Sequence, residues 1–294
     1  LRHFVISRYG HTRERDVLQR VKEKVGGKIQ AIEFLEALAD SANDYVALLT
    51  PTHPKWNAYN TSIRTHIRTM GLLKMVPLRP LMLAVVRRFP NKQTEKAFRL
   101  FVFWSVRFLL VGGGRSGTVE QAFAKAASEV SAGHINNVRM MTKQLVDVLH
   151  TDAEFKSAFS SASVTKPAFA RYYLNALEYQ LQGNPFPEAI QDETFVTNLE
   201  HVLPERPENN WSTFDKALIP AYHKRIGNMA LLKASTNTSI GNLPFSEKRK
   251  FFQASQFQLT REVGEKTTWE PKEIEARQQR LAELAVKTWP FVVP

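Results

Sequence analysis

The stretch NLEHVLPERP, residues 198–207, decides how the second half of the chain is interpreted. An apolar run that predicts a β-strand ends on Glu200 and His201. Pro204 follows, and because proline has no N–H to donate, it ends strand pairing. A neutral imidazole with a pKa of about 6.5 accepts a proton at neutral pH, so His201 is a candidate general base. A lone histidine at a strand end is usually structural, so the interpretation depends on partners.

Two asparagines downstream are the candidate partners. Asn228, in RIGNMALL, lies at the start of a second predicted strand, and Asn237, in ASTNTS, follows it nine residues later. Asparagines beside a strand commonly serve turns. A carboxylate together with an amide oxygen and waters nevertheless suits Mg²⁺. Neighbouring residues of a strand point to opposite faces, so Glu200 and His201 share a site only if the strand bends near Pro204.

Helices are predicted between and after the two predicted strands. The segment STFDKALIPAYHKRI, residues 212–226, is predicted to be one helix with His223 at its surface. A helix beginning at Pro244 and a last helix, PKEIEARQQRLAELAVKTW, both start with proline, which suits the first helical turn. The sequence therefore predicts strand, helix, strand and then two helices.

The first 185 residues predict helices throughout, from apolar side chains at helical spacing. The apolar run 97–111 is interrupted by Arg99 and Arg107 and is too short to span a bilayer, so we interpret it as a buried core helix. The turn-rich segment QGNPFPEAIQDE, residues 182–193, predicts a boundary. We therefore expect a mainly α protein, with a helical bundle over residues 1–185 and a small α+β domain with flanking helices over residues 186–294.

The net charge of +12 comes entirely from residues 1–115, which hold 20 Lys and Arg against 8 Asp and Glu, whereas residues 116–294 hold 20 of each kind. Between residues 59 and 115, eleven basic side chains accompany one acid, Glu95. This asymmetry predicts a polyanion, with double-stranded DNA as the partner, although a merely solvated basic face is the alternative. The candidate DNA-binding residues are Arg64, Arg68, Arg87, Arg88, Lys92, Lys96, Lys248 and Arg249.

The sequence contains no cysteine, which excludes disulfides and thiolate metal sites and fits a cytoplasmic protein. No signal peptide is visible, and no membrane segment is expected. Because the chain begins with Leu1, we interpret it as a piece of a longer protein.

The combined pattern EHVLP…GNMALLKASTN…PF..K resembles the HNH, or ββα-metal, nuclease signature. It is more closely similar to the C-terminal nuclease domain of modification-dependent restriction proteins of the GmrSD and SspE kind. The resemblance is strong over residues 195–290, where ASQFQLTREV, Trp269 and the last helix also match, and looser before them. The family's N-terminal ParB-like nucleotide-binding domain, with its DGQQR-type motif, is absent from this sequence and is an expected partner.

The resemblance implies an HNH endonuclease that uses Mg²⁺, with Mn²⁺ as the alternative, and serves a bacterial anti-phage system. His201 matches the general base, and Asn228 matches the asparagine that orients the loop. Glu200 and Asn237 match metal-ligand positions, and Glu200 is longer than the usual aspartate. The expected reaction nicks DNA and leaves 3′-hydroxyl and 5′-phosphate ends.

Two other functions stay open. A catalytically inactive DNA-binding adaptor would use the same basic region, but it has no need of all four motif residues. An RNase would use the same chemistry. The sequence does not determine the DNA modification that is sensed, a nucleotide requirement, a sequence preference or the oligomeric state.

Overall fold

The computed structural model describes residues 1–112, 116–190, 197–207, 211, 214–233 and 240–292. This part of the chain is mainly helical, and it contains a two-stranded antiparallel sheet. The predicted mainly α fold is confirmed.

Ten helices precede the first strand in the described residues. They are α1 (Arg2–Tyr9), α2 (Val17–Lys24), α3 (Lys28–Leu49), α4 (Ser62–Leu73), α5 (Arg79–Arg88), α6 (Asn91–Val111), α7 (Ser116–Ala132), α8 (Val138–Leu145), α9 (Asp152–Phe159) and α10 (Pro167–Leu181). The strands β1 (Thr197–His201) and β2 (Met229–Lys233) enclose the short helix α11 (Ile219–Tyr222). After β2 come α12 (Phe245–Gln253), α13 (Gln258–Gly264) and α14 (Pro271–Thr288).

The chain divides into two compact units. The first contains Leu1–Phe108, Gly112–His150 and Phe291–Pro294, and the second contains Leu109–Val111 and Thr151–Pro290. The second unit includes α9 and α10, which precede the predicted boundary at residues 185 and 186, because both helices pack against α14. The division into a DNA-holding part and a nuclease part stays a prediction.

The first unit is built around α6, whose apolar run was predicted to be a core helix. Its aromatic side chains Phe98, Phe101, Phe103 and Trp104 are completely buried, and the Phe101 ring packs edge to face with those of Phe98 and Trp104. Edge-to-face packing is the preferred geometry of aromatic pairs because ring edges are positive and ring faces negative. Among the described helices, none is long and apolar enough to cross a membrane.

The second unit is organised around the pairing of β1 with β2. Glu200 lies opposite Ala230, and His201 lies opposite Met229, at the end of the ladder. Two strands alone are marginally stable in water. Helices therefore complete the core, in which Val202, Leu203, Trp211, Phe214, Ala230, Leu232, Ile240, Phe245, Phe252, Val263, Trp269 and Ile274 form one buried cluster.

Two polar side chains of α14 tie the start of β2 to the rest of the second unit. The buried Arg277 donates from one guanidinium nitrogen to the carbonyl oxygens of Gly227, at 2.7 Å, and Met229, at 2.8 Å. Burial lowers the pKa of Arg277 to about 10, so the side chain keeps its charge at neutral pH. The neighbouring Gln278 accepts from the Gly227 N–H at 3.3 Å. These bonds fix the backbone immediately before β2.

The predicted helix over residues 212–226 is wrong in length. Residues 212 and 213 lie outside the described residues, and the rest holds a 3₁₀ turn, Lys216–Leu218, followed by α11. Asp215 caps the 3₁₀ turn by accepting from the Ala217 N–H at 2.9 Å. Pro220 lies in the first turn of α11, where its missing N–H does no harm, whereas in the middle of a longer helix it would break a hydrogen bond.

We predict that Gly227→Ala destabilises the second unit, because α14 leaves no room for a methyl group. A Cβ at residue 227 would lie 2.5 Å from the Ile274 carbonyl oxygen and 2.9 Å from the Gln278 Cβ. Relieving such overpacking costs about 1–3 kcal/mol. The control is Gly71→Ala inside α4, where nothing lies within 4 Å and the better helix former should stabilise by roughly 0.5–1 kcal/mol. Urea denaturation measures both, and equal midpoints for Gly227→Ala and the parent protein would contradict the packing argument.

Candidate active site

The side chain of Asn228 is fully buried and uses its whole hydrogen-bonding capacity. It lies in a 3₁₀ turn, Ile226–Asn228, directly before β2. Its Oδ1 accepts from the Leu203 N–H at 2.8 Å and from the Trp269 indole at 2.9 Å. Its Nδ2 donates to the carbonyl oxygens of Leu203, at 2.9 Å, and His223, at 3.1 Å. One amide therefore joins the turn before β2, the loop after β1 and the residue after α11.

His201, the last residue of β1, stacks on His223. The ring centroids are 4.3 Å apart and the ring planes differ by 25°. His223 is only 7% exposed, so its predicted position at the surface is wrong. The reason is that α11 ends at Tyr222, and the following turn, held by Asn228, returns His223 to the end of β1. His201 and His223 are the only histidines after His150 in the sequence. This is the one sequence signal that relates the two residues.

Both imidazoles are held in the neutral form. Burial, with smaller contributions from His223 and Lys248, lowers the pKa of His201 to about 4. Burial also lowers the pKa of His223, while a hydrogen bond with the Leu203 backbone and the charge of Glu205 oppose that change. The Glu205 carboxylate lies 3.8 Å from the His223 Nε2. At neutral pH, His201 is therefore free to accept a proton.

Glu200 lies in a different environment from its neighbour His201. Its Oε1 is 2.5 Å from the Lys248 ammonium, which also donates to the His201 carbonyl oxygen at 3.1 Å. Lys248 is completely buried, so it braces β1 against α12 and does not lie at the surface where a DNA phosphate would be. Burial raises the pKa of Glu200 and lowers that of Lys248, and the charge of each partner opposes the change in the other.

The described residues offer a metal ion part of a ligand set. Among them, no group of three or more His, Asp or Glu side chains is placed to hold a metal. Glu200 contributes one carboxylate oxygen, Oε2, that no hydrogen bond of the described residues occupies. The predicted ligand Asn237 lies outside the described residues. A single carboxylate is compatible with Mg²⁺, which commonly uses one or two carboxylates and keeps several waters.

The predicted DNA-binding side chains of the first unit differ in their availability. Arg64 donates to the Pro51 carbonyl oxygen and to Asn57, and Arg87 pairs with Asp44 at 2.5 Å. Arg68 is half-buried in α4. The side chains that are exposed and without an ion-pair partner among the described residues are Arg88, Lys92 and Lys96.

In the second unit, the Arg249 side chain is half-buried and donates to the Gly264 carbonyl oxygen at 2.9 Å. Arg249 therefore links α12 to the end of α13. The predicted site residues that the structure brings together are His201 and Asn228, through the loop at Leu203. Glu200 is connected to them through the backbone of β1 and through Lys248, which bonds both Glu200 and the His201 carbonyl oxygen.

Residues 149–284 match the family model described as GmrSD restriction endonucleases, C-terminal domain. The match begins close to Thr151, where the second compact unit starts, and it includes Glu200, His201, Asn228 and Asn237. It confirms the predicted resemblance. The family name indicates a nuclease that acts on DNA. No curated protein matches the chain.

We predict that Asn228→Ala loosens the second unit by roughly 3–5 kcal/mol. The substitution leaves the Leu203 N–H and C=O, the His223 carbonyl and the Trp269 indole without their partner, and buried groups cost about 1–3 kcal/mol each when unpaired. Asn228→Asp keeps the two accepting bonds but places a buried carboxylate oxygen against the Leu203 and His223 carbonyl oxygens, so it should destabilise at least as much. Gln279→Ala removes an exposed amide of α14 and should change stability by less than about 0.5 kcal/mol. Urea denaturation compares the three, and a neutral Asn228→Ala would show that the four bonds contribute nothing.

Proposed function

Because residues 149–284 are a C-terminal region of the GmrSD restriction endonuclease type, we propose that the chain is the metal-dependent, DNA-nicking part of a modification-dependent anti-phage restriction protein. The observation that carries this proposal is the arrangement at the end of β1. A neutral imidazole, His201, lies beside a loop that Asn228 holds by two hydrogen bonds to Leu203, and the same amide also bonds His223 and Trp269. The order β1, β2, α12 supports a ββα-metal assignment for this region.

The reaction that the site would perform is hydrolysis of a phosphodiester. His201 accepts a proton from a water molecule, and the water oxygen attacks the phosphorus. The bond between phosphorus and the 3′-oxygen breaks, and that oxygen takes a proton from solvent. The products are a 3′-hydroxyl and a 5′-phosphate. A single site of this kind cuts one strand, so a nick is the expected product.

Glu200 and Asn237 are the residues that would hold Mg²⁺, or Mn²⁺, at this site. The bound cation would supply charge stabilisation for the phosphate and for the departing 3′-oxygen. Lys248 fixes the Glu200 carboxylate through Oε1 and leaves Oε2 for a further partner. Asn228 is assigned the task of holding the His201 loop, because its own polar atoms are all occupied by protein groups.

The basic residues of the first unit would hold the duplex by its phosphates. Arg88, Lys92 and Lys96 are exposed on or beside α5 and α6. Cations at such positions attract phosphates without distinguishing bases. We therefore expect DNA binding by this region to be independent of sequence.

We predict that His201→Ala lowers the rate of nicking of supercoiled plasmid by about 10²–10⁴-fold, because proton transfer to the base is lost. Asn237→Ala should instead raise the Mg²⁺ concentration needed for half-maximal rate, and excess metal should restore part of the rate. The measurement is a nicking time course across a Mg²⁺ titration, with Gln279→Ala as the control. Full activity of His201→Ala would overturn the assignment of His201 as the general base. Cleavage of RNA in place of DNA would show that the substrate is RNA.

We predict that the triple change Arg88→Gln, Lys92→Gln and Lys96→Gln weakens binding to all duplex sequences equally. Each lost phosphate contact reduces the slope of log affinity against log salt by about 0.9. Fluorescence anisotropy over a range of salt concentrations measures the slope. A triple change at Lys266, Lys272 and Lys287, exposed in the second unit, removes the same net charge and serves as the control. Equal slopes for the two triple variants would contradict a phosphate-binding role for the first set.

A further inference from the structure

The stacked pair of histidines is the feature that the proposed chemistry leaves unexplained. His201 and His223 come from different elements, β1 and the turn after α11, and their rings lie nearly parallel with centroids 4.3 Å apart. A histidine ring rotates over a broad range about its χ2 bond. At the end of a strand, His201 therefore needs a neighbouring surface if its ring nitrogens are to keep one direction.

His223 itself is fixed from several sides. Its backbone N–H donates to the Ile219 carbonyl oxygen at 2.8 Å, which closes the last turn of α11. Its carbonyl oxygen accepts from Asn228 Nδ2 at 3.1 Å. Its side chain is almost wholly buried, and its Nε2 lies 3.8 Å from Glu205. The backbone of His223 is thus fixed, and its buried ring offers a plane against which a second ring can rest.

We propose that His223 is a positioning residue, whose ring plane holds the imidazole of His201 in the orientation that directs a nitrogen at the attacking water. This inference rests on the proposed function of His201 as the base. His223 contacts the base and not the substrate, so its contribution is orientation. Orientation matters because a displacement of about 1 Å at a reacting group costs up to about 10²-fold in rate.

Asn228 connects the two segments that carry the stacked histidines. Its Oδ1 and Nδ2 hold Leu203, two residues after His201, and its Nδ2 also holds the backbone of His223. One side chain therefore sets the distance between the two stacked rings. A histidine that served the core alone would need no such connection to the loop after β1.

The experiment compares His223→Ala, which removes the plane, with His223→Phe, which keeps a flat ring without nitrogens. Val263→Ala, in the completely buried part of α13, controls for a general loss of stability. Plasmid nicking at saturating and limiting DNA separates kcat from KM. A second readout needs no nuclease activity: the rate at which diethyl pyrocarbonate modifies His201, followed by peptide mass spectrometry.

We expect His223→Ala to lower kcat by about 10- to 100-fold with KM unchanged, and His201 to be modified faster. His223→Phe should restore kcat to within about threefold of the parent and protect His201 again, since the plane is present. Val263→Ala should change neither quantity. Equal damage from His223→Ala and His223→Phe, or from His223→Ala and Val263→Ala, would overturn the positioning role. If His201→Ala is fully active, the proposed function fails, and the modification rates still test whether His223 holds His201.

Discussion

A carboxamide can donate two hydrogen bonds and accept two, and Asn228 uses all four inside the second unit. Its partners belong to segments that are distant in sequence: the loop at Leu203, the turn at His223 and the indole of Trp269. A hydroxyl or a charged side chain could not satisfy two donors and two acceptors at once. Because the amide is completely buried, each bond is made in a medium where an unpaired partner is expensive. The geometry around His201 follows from this constraint.

The small sheet depends on polar contacts as much as on apolar ones. No cysteine is present to brace the hairpin with a disulfide or a thiolate-bound metal, and two strands cannot bury their own faces. Arg277 and Gln278 therefore hold the backbone before β2, and Lys248 holds the end of β1 through Glu200 and the His201 carbonyl. Breaking a buried ion pair by removing one partner leaves a charge without compensation. These buried polar contacts thus fix β1 and β2 relative to α12 and α14.

Local patterns were sufficient for the long helices and insufficient for the contacts at the site. The apolar period predicted the core helix α6, and proline predicted the start of α14 at Pro271 and the start of α12 to within one residue, since Pro244 is the N-cap of α12. These signals lie within one element or directly before it. The prediction of one helix over residues 212–226 was wrong because it assumed continuous periodicity, whereas Pro220 lies in the first turn of a new short helix. His223 and Lys248 were misplaced at the surface for a different reason. Their partners, His201 and Glu200, lie 22 and 48 residues away in sequence, and only tertiary packing brings them together.

The doublet Glu200–His201 is not an acid–base dyad, because the alternation of the strand sends the two side chains to different partners. Burial, together with the charges of His223 and Lys248, outweighs the opposing effect of the Glu205 carboxylate and lowers the pKa of His201 to about 4. Such an imidazole is always available to accept a proton at neutral pH, but it is a weaker base than a solvated one. Anionic phosphates beside an imidazole favour its protonated form and raise its pKa. The base strength of His201 is therefore lowest in the free protein, where no substrate is present, and phosphates at the site oppose the effect of burial.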